Sequence, residues 1–179
     1  GGVLSHAPRR VQSMRMMIDS FQPEGVTELA VDSIFMMPHL GVLSTVDEVA
    51  ATEVFERDCL IFLGSCISAS GEAAPNKPIL RVQGTLKGES IDRTLSFGEL
   101  HLLEASREDL FDVTITPLQG TIDVGAGPGK VRKAQVKGGV VGIALDTRGR
   151  PIVVPEGAAR VPAVQRWSSA MAEYPEGVA

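Results

Sequence analysis

The sequence is poor in aromatic residues and in cysteine. Phe, Tyr and Trp make up 4% of its 179 residues, so a core has to be built from Val, Ile, Leu, Met and Ala. The two cysteines, Cys59 and Cys66, are too few for a disulfide framework, and free buried thiols are the expected state. No apolar run reaches the roughly 18 residues of a membrane span, and no signal peptide is visible. The expected location is the cytoplasm, with no membrane partner.

Positive charge is not gathered into a long block. The formal net charge is −5, and the densest basic cluster consists of Lys130, Arg132, Lys133 and Lys137. Nucleic-acid binding proteins usually carry a marked basic patch or stripe, because they neutralise phosphates. No nucleic-acid partner is therefore expected.

The familiar catalytic and metal-binding motifs are also missing. There is no G-x-S-x-G nucleophile elbow. The histidines His6, His39 and His101 form no H-x-x-x-H pattern, and the spacing of Cys59 and Cys66 does not suit a zinc knuckle. The residues by themselves predict no catalytic residue and no metal site.

The stretch "IDVGAGPGKV", from Ile122 to Val131, invites comparison with phosphate-binding loops. A P-loop would need glycine where Val124 stands and Ser or Thr where Val131 stands. A dinucleotide fingerprint would need its third glycine at Lys130. The following residues favour a strand, so no helix N-terminus is available for a phosphate. The stretch is therefore predicted to be a tight glycine turn.

Hydrophobic periodicity predicts helices over 8–21, about 47–58 and 161–173. Thr45 and Glu48 have the spacing of a capping box for the second helix. Leu29 to Met37 is predicted to be a buried strand or a strand–turn–strand, which Pro38 interrupts. Further strands are predicted at 59–68, 79–86, 93–105, 111–118 and 131–136, with a hairpin over 138–155 around "DTRG".

These elements predict an α+β fold. A helix-containing N-terminal portion packs on a C-terminal antiparallel β-barrel or sandwich, and a helix closes the chain. The break "SASGEAAPNKP" at 68–78 divides the chain into an α/β portion (1–70), a β-rich module (79–160) and a C-terminal helix with a tail (161–179).

Some polar residues border apolar runs. Asp32, His39, Asp58 and Cys59 form one candidate polar site, in which the carboxylates would act as an acid/base pair or bind a cation. Capping or ion pairing is the other explanation for these carboxylates. Arg148 and Arg150 are expected at the tip of the predicted hairpin, either simply solvated or in contact with an anion or partner.

Several long blocks resemble the C-terminal part of the glutamate-mutase L proteins. They are "GGVLSHAPRR", "DSIFMMPHLGVLS", "VFERDCLIFLG" and "DVGAGPGKV…GGVVGIALDTRGRPI". The resemblance implies an actin-like ATPase superfamily member that serves an adenosylcobalamin-dependent methylaspartate mutase. It also implies ATP and Mg²⁺ as cofactors, but the corresponding phosphate and magnesium motifs do not occur in this chain, which is therefore expected to bind no cofactor by itself.

Within that resemblance, Gly1, Gly2, Val3 and Leu4 correspond to a glycine-rich segment that contacts adenosine near the end of the ATPase core. The expected function is a non-catalytic C-terminal module of an accessory or reactivating protein. Its partners would be a B12-dependent mutase or an upstream ATPase core. The chain opens without Met, as expected if it were cut from something longer or if a leader were removed. A free-standing homologue of the C-terminal part is the other expectation.

Two alternatives stay open. The first is a small metal-binding protein or hydrolase that uses Asp32, Asp58, His39 and Cys59. The second is a structural module that forms homo-oligomers through the Met-rich helix at 8–21 or through strand edges.

Overall fold

A computed structural model describes residues 2–174 of the chain. The helices are α1 (Val3–His6), α2 (Arg10–Phe21), α3 (Met37–Leu43), α4 (Glu48–Val54) and α5 (Arg160–Ala170). The strands are β1 (Gly25–Asp32), β2 (Leu60–Ser68), β3 (Pro78–Leu86), β4 (Glu89–Ser96), β5 (Leu100–Leu103), β6 (Leu110–Pro117), β7 (Arg132–Lys137) and β8 (Gly142–Asp146). A π-helical turn, Phe55–Cys59, links α4 to β2.

The strands form two four-stranded sheets. In the first sheet the order is β1-β2-β8-β5, and the central pair β2–β8 is parallel while the outer pairs are antiparallel. In the second sheet the order is β4-β3-β6-β7, and every pair is antiparallel. The first sheet therefore combines strands from both sides of the 68–78 break. The division at that break remains a prediction of domain organisation.

Two hydrophobic cores give the molecule three layers. One core lies between the sheets, and the other lies between the first sheet and helices α2 and α5. Strand β8 shows how one sequence serves both: Ile143 and Leu145 face the core between the sheets, and Ala144 between them faces the helices. This alternation follows from the two-residue period of a strand. The sheets are open and packed face to face, so the fold is α+β with a sandwich and not a barrel.

Most of the predicted elements are confirmed. Helix α2 covers the predicted 8–21 segment, and its methionine Met14 is fully buried against the first sheet, which makes the Met-rich face part of the core. Helix α4 with its π-helical turn matches 47–58, and α5 matches 161–173. Strands β2, β3, β6 and β7 lie where they were expected.

The strand predicted from Leu29 to Met37 is wrong beyond Asp32, where β1 ends. The chain turns there and enters α3, whose first turn contains Pro38. Proline suits that position because the first helical N–H groups have no partner inside the helix. The apolar residues after Asp32 have the sequence pattern of a buried strand, but they lie at the surface.

The capping box at Thr45 and Glu48 is also wrong. The N-cap of α4 is Asp47, whose Oδ1 accepts a 3.0 Å hydrogen bond from the backbone N–H of Ala50. A second error concerns 93–105, which was expected to be one strand. The chain reverses at Phe97 and Gly98, and β4 and β5 belong to different sheets.

The hairpin predicted over 138–155 does not form. Only β8 is a strand, and the apolar residues after Pro151 run as irregular chain toward α5. The turn residues "DTRG" therefore do not lie at a solvated tip: Arg148 is fully buried. Within residues 2–174, no helix is long and apolar enough to cross a membrane.

Candidate functional site

Asp32 lies at the end of β1 and holds the turn that leads into α3. Its carboxylate accepts hydrogen bonds from the backbone N–H groups of Ile34, at 3.2 Å, and Met37, at 2.8 Å. Burial alone would raise the pKa of Asp32, but hydrogen bonds from the surrounding backbone outweigh it and hold the pKa below its ordinary value. Both carboxylate oxygens are thus engaged, and the residue acts as a cap.

The structure brings the backbone of Cys59 close to the turn at Asp32. The backbone oxygen of Cys59 accepts hydrogen bonds from the N–H and the hydroxyl of Ser33, both at 2.9 Å. Burial, together with the negative charges of Asp32 and Asp58, raises the pKa of the Cys59 thiol. His39 is exposed on α3.

Asp58 has a partner of its own. It forms a two-point ion pair with its neighbour Arg57, with nitrogen–oxygen distances of 2.7 and 2.9 Å, and this pair lowers the pKa of the carboxyl. Among residues 2–174, no group of three His, Cys, Asp or Glu side chains is placed to hold a metal ion. Whether Asp32, His39, Asp58 and Cys59 act together in any chemistry stays a prediction.

The glycine stretch is a loop that satisfies its own hydrogen bonds. Oδ1 of Asp123 accepts bonds from the backbone N–H groups of Gly125 (2.7 Å), Ala126 (3.1 Å) and Gly127 (3.0 Å). These are the donors that a phosphate would need. Burial acts to raise the pKa of Asp123, but the backbone bonds prevail and lower it. A carboxylate of the chain itself therefore occupies the anion position.

Arg132 explains why glycine is required beside this loop. Its guanidinium donates a 3.0 Å hydrogen bond to the carbonyl oxygen of Val124. A Cβ on Gly125 would come within 2.3 Å of the same guanidinium, and Gly125 has a φ of +86°. The signal in the sequence is an aspartate two residues before a glycine, which is typical of side-chain caps in turns.

The predicted nucleotide-contacting segment lies at a surface groove. Gly1 lies outside the described residues. Gly2 and Val3 line an open groove of about 660 Å³ together with His6, Met16 and Tyr174, among others. The groove is lined mainly by apolar groups, and its histidine and tyrosine rings offer flat faces for stacking.

Leu4 points away from that groove. It packs against the core between the first sheet and the helices, and its backbone oxygen accepts a 2.6 Å hydrogen bond from the Ser13 hydroxyl. The carbonyl oxygen of Gly2 accepts a 3.1 Å hydrogen bond from the backbone N–H of His6, and this bond forms the turn of α1. Of the residues predicted for nucleotide contact, Gly2 and Val3 line the groove and Leu4 packs against the core, and nucleotide contact itself stays a prediction.

The feature that the sequence analysis missed is a buried ionic network at the end of β8. Arg148 donates two parallel hydrogen bonds to Asp146, at 2.9 and 2.8 Å, and pairs with Asp19 of α2 at 2.7 Å. Burial acts against ionisation of both partners, but their pairing prevails and the pKa of Asp146 is lowered. Arg150 adds a 3.1 Å contact to the same carboxylate.

The network ties α2 to the C-terminal helix. The Arg148 guanidinium lies 5.1 Å from the centre of the Trp167 ring of α5, and Arg15 of α2 lies 5.7 Å from it. Arg15 also pairs with Asp19 and Glu173. Because Arg148 and Asp146 are fully buried and the charges of the network are mutually paired, the arrangement is structural and joins α2 to the part of the chain around α5.

A second cavity lies between α5 and the turn before β5. It has a volume of about 620 Å³ and is lined by Trp167, Phe97, Glu99, His101 and Arg166, among others. Glu99 lies 3.2 Å from Nε2 of His101. The size is within the range of small-molecule sites.

Comparison with known proteins locates one similarity. A family model described as "MutL protein" matches residues 1–59 of the 179. No curated protein and no solved structure matches the chain. The matched part runs from α1 through the π-helical turn and contains the groove at Gly2, the Asp32 turn and both short helices α3 and α4. Over this part the chain is similar to the MutL protein family.

Proposed function

We propose that the chain is the C-terminal, non-catalytic module of a glutamate-mutase-L-like accessory protein that serves a B12-dependent mutase. The observation that carries the proposal is the match of residues 1–59 to the MutL protein family. The longer blocks of resemblance named above extend past residue 59 and favour the same assignment. In this proposal the upstream partner is an actin-like ATPase core.

The chemistry of the described residues supports a non-catalytic role. The glycine loop that looks most like a phosphate site already holds the Asp123 carboxylate. The groove at Gly2 and Val3 has the character of a rim that receives a flat base, and among residues 2–174 its lining includes no lysine or arginine. The module therefore completes a nucleotide site and contacts the mutase, while the ATPase core supplies phosphate and magnesium contacts.

The direct test is binding of the purified chain to an adenosylcobalamin-dependent methylaspartate mutase, measured by calorimetry. We expect a stoichiometric complex. The absence of measurable binding at high micromolar concentrations of the chain would contradict the proposal.

Titration with ATP and Mg²⁺ tests the non-catalytic part. We expect weak binding that does not depend on Mg²⁺, and weaker still in Val3→Asp, because that change puts a negative charge into the groove. Val161→Asp, which alters another exposed valine, on α5, is the control, with exposed fractions of 63% for Val161 and 74% for Val3. Tight, magnesium-dependent binding with ATP turnover would refute the assignment.

A further inference from the structure

The segment from Ile34 to Val49 exposes an unusual amount of apolar surface. Seven of the eighteen exposed large apolar side chains described in residues 2–174 belong to it: Ile34, Phe35, Met37, Val42, Leu43, Val46 and Val49. Their exposed fractions run from 40% to 86%. Single exposed apolar residues are ordinary, but seven within sixteen consecutive residues are a concentration that favours an interaction surface.

In the turn before α3, the backbone of Phe35 has a conformation that is unfavourable for a bulky side chain. Phe35 has a φ of +57° and is 61% exposed. A bulky side chain is strained there, and strain of this kind persists only where the surroundings impose it. Asp32 imposes it through its hydrogen bonds to Ile34 and Met37. A buried anion thus fixes an exposed apolar turn.

Between α3 and α4 lies a groove of about 210 Å³ whose lining includes small residues. Its lining consists of four small residues and three larger apolar ones: Gly41, Ser44, Ala51 and Thr52, with Met37, Leu40 and Phe55. A Cβ placed on Gly41 would have no neighbour within 4 Å. Small side chains along a groove let the ridge of another helix approach closely. The opening is therefore suited to a helix laid between α3 and α4.

Every charged residue between Asp32 and Arg57 is acidic, and the basic groups nearest to them, Arg57 and Arg107, line a pocket with Glu53 and Glu56. No lysine or arginine occurs between Asp32 and Arg57, whereas Asp47, Glu48, Glu53 and Glu56 do, and all four are exposed. In the described part of the chain none of these four carboxylates forms an ion pair: Arg57 pairs with Asp58, and Arg107 lies 3.4 Å over the Phe62 ring. A partner that brings cations would be attracted.

We infer that the α3–α4 surface is a docking site for a protein partner that presents an amphipathic helix with an apolar face flanked by lysine or arginine. The apolar side chains and the groove would receive the apolar face, and the unpaired carboxylates would receive the flanking cations. An anionic membrane surface is disfavoured by the same carboxylates. The inference rests on the geometry of α3 and α4 and stands whether or not the partner is a mutase.

The test uses a synthetic probe of defined chemistry. A fluorescent helical peptide of about 18 residues, five turns, is made from leucine and lysine, and its twin carries glutamate in place of lysine. Fluorescence anisotropy with the full chain is expected to show at least about tenfold tighter binding of the lysine peptide. Added salt is expected to weaken that binding, since the attraction is between exposed charges.

Matched variants show whether binding takes place on this surface: the first pair tests the groove, and the second tests an exposed apolar side chain of α3 outside the groove lining. Gly41→Lys puts bulk and positive charge into the groove, and Gly120→Lys makes the same change at another exposed glycine whose Cβ direction is open. Val42→Ser and Val161→Ser form a second pair, with exposed fractions of 71% and 63%. We expect Gly41→Lys to weaken the lysine peptide about tenfold and Val42→Ser severalfold, with both controls unchanged. Circular dichroism checks that all four variants fold.

Two results would overturn the inference. The first is equal binding by Gly41→Lys and the unaltered chain, or equal loss in Gly120→Lys. The second is a reversible dimer, seen by sedimentation velocity and abolished by Gly41→Lys, because a second copy would then cover the surface. Peptide binding at the groove without mutase binding would contradict only the proposed function.

Discussion

Two regions of this molecule reverse the usual placement of side chains, in opposite directions. Around Arg148 the fold buries charge, and around α3 it exposes apolar surface. The buried charges are paired with one another and link helices that are distant in sequence. The exposed apolar groups have no partner within the described residues. The burial of charge around Arg148 is thus explained by the fold itself. The exposed apolar surface around α3 is instead what the proposed partner helix would cover.

The largest expected effect comes from breaking the buried network. Arg148→Ala leaves the buried Asp146 carboxylate with only Arg150 as a charged partner, and we expect the free energy of unfolding to fall by about 3–5 kcal/mol. Urea denaturation measures it. The control is Arg81→Ala, which removes the exposed Arg81–Asp92 pair and should change the free energy by no more than about 1 kcal/mol. Equal effects would show that the network contributes no more than a surface pair.

A pair of glycines gives the next largest contrast. Gly64 of β2 has a φ of +133°, and a Cβ there would lie 1.8 Å from the backbone oxygen of Gly142 in β8. We expect Gly64→Ala to lower the free energy of unfolding by about 3 kcal/mol or more, because backbone has to move. Gly41→Ala meets nothing within 4 Å and lies in a helix, so it should raise the free energy by up to about 1 kcal/mol. Thermal denaturation of both variants checks the sign.

Removing the cap at Asp32 is expected to have an intermediate effect. Asp32→Ala deprives two backbone N–H groups of their acceptor and should lower the free energy of unfolding by about 1–2 kcal/mol at neutral pH. The folded pKa of Asp32 lies below its ordinary value of 3.8. The stabilisation is therefore complete above that pH and is lost as the pH falls through the folded pKa. Denaturation at several acidic pH values should show the variant and the unaltered chain converging; a constant difference would contradict the assignment.

The smallest effect on stability belongs to the exposed surface. Val42→Ser should change the free energy of unfolding by less than about 0.5 kcal/mol, because the side chain is 71% exposed. The same variant is expected to lose affinity for the leucine–lysine peptide. Chemical denaturation and anisotropy on one preparation compare the two. A clear loss of stability would mean that Val42 supports the fold and that its exposure has another explanation.

Sequence patterns predicted the elements well where neighbouring residues decide them. The helix at 8–21 and the strands at 79–86 and 111–118 follow from periodicity, and so does the fold class. The glycine turn at 122–131 was predicted from the residues that a phosphate loop would need. Its actual occupant, Asp123, is also a local signal that sequence can supply.

The errors occur where distant parts of the chain decide the outcome. Asp146 and Arg148 looked like turn residues because a local pattern shows neither the indole of Trp167 nor the carboxylate of Asp19 that meet them. The strand expected beyond Asp32 failed because exposed and buried apolar residues look the same in sequence. Asp32 was chosen as a candidate for chemistry, and the structure shows it in a capping role that spacing alone could not distinguish.

The parallel pairing of β2 with β8 has a consequence for the order in which the fold is acquired. Strand β2 pairs with β1, which is near in sequence, but its other edge is filled only by residues 142–146. Contacts between such distant segments form slowly, because a long loop has to close first. During synthesis on the ribosome, β2 therefore emerges with one edge uncovered. That edge stays uncovered until residues 142–146 have been synthesised. This interval is when the nascent protein is most open to mispairing with other strands.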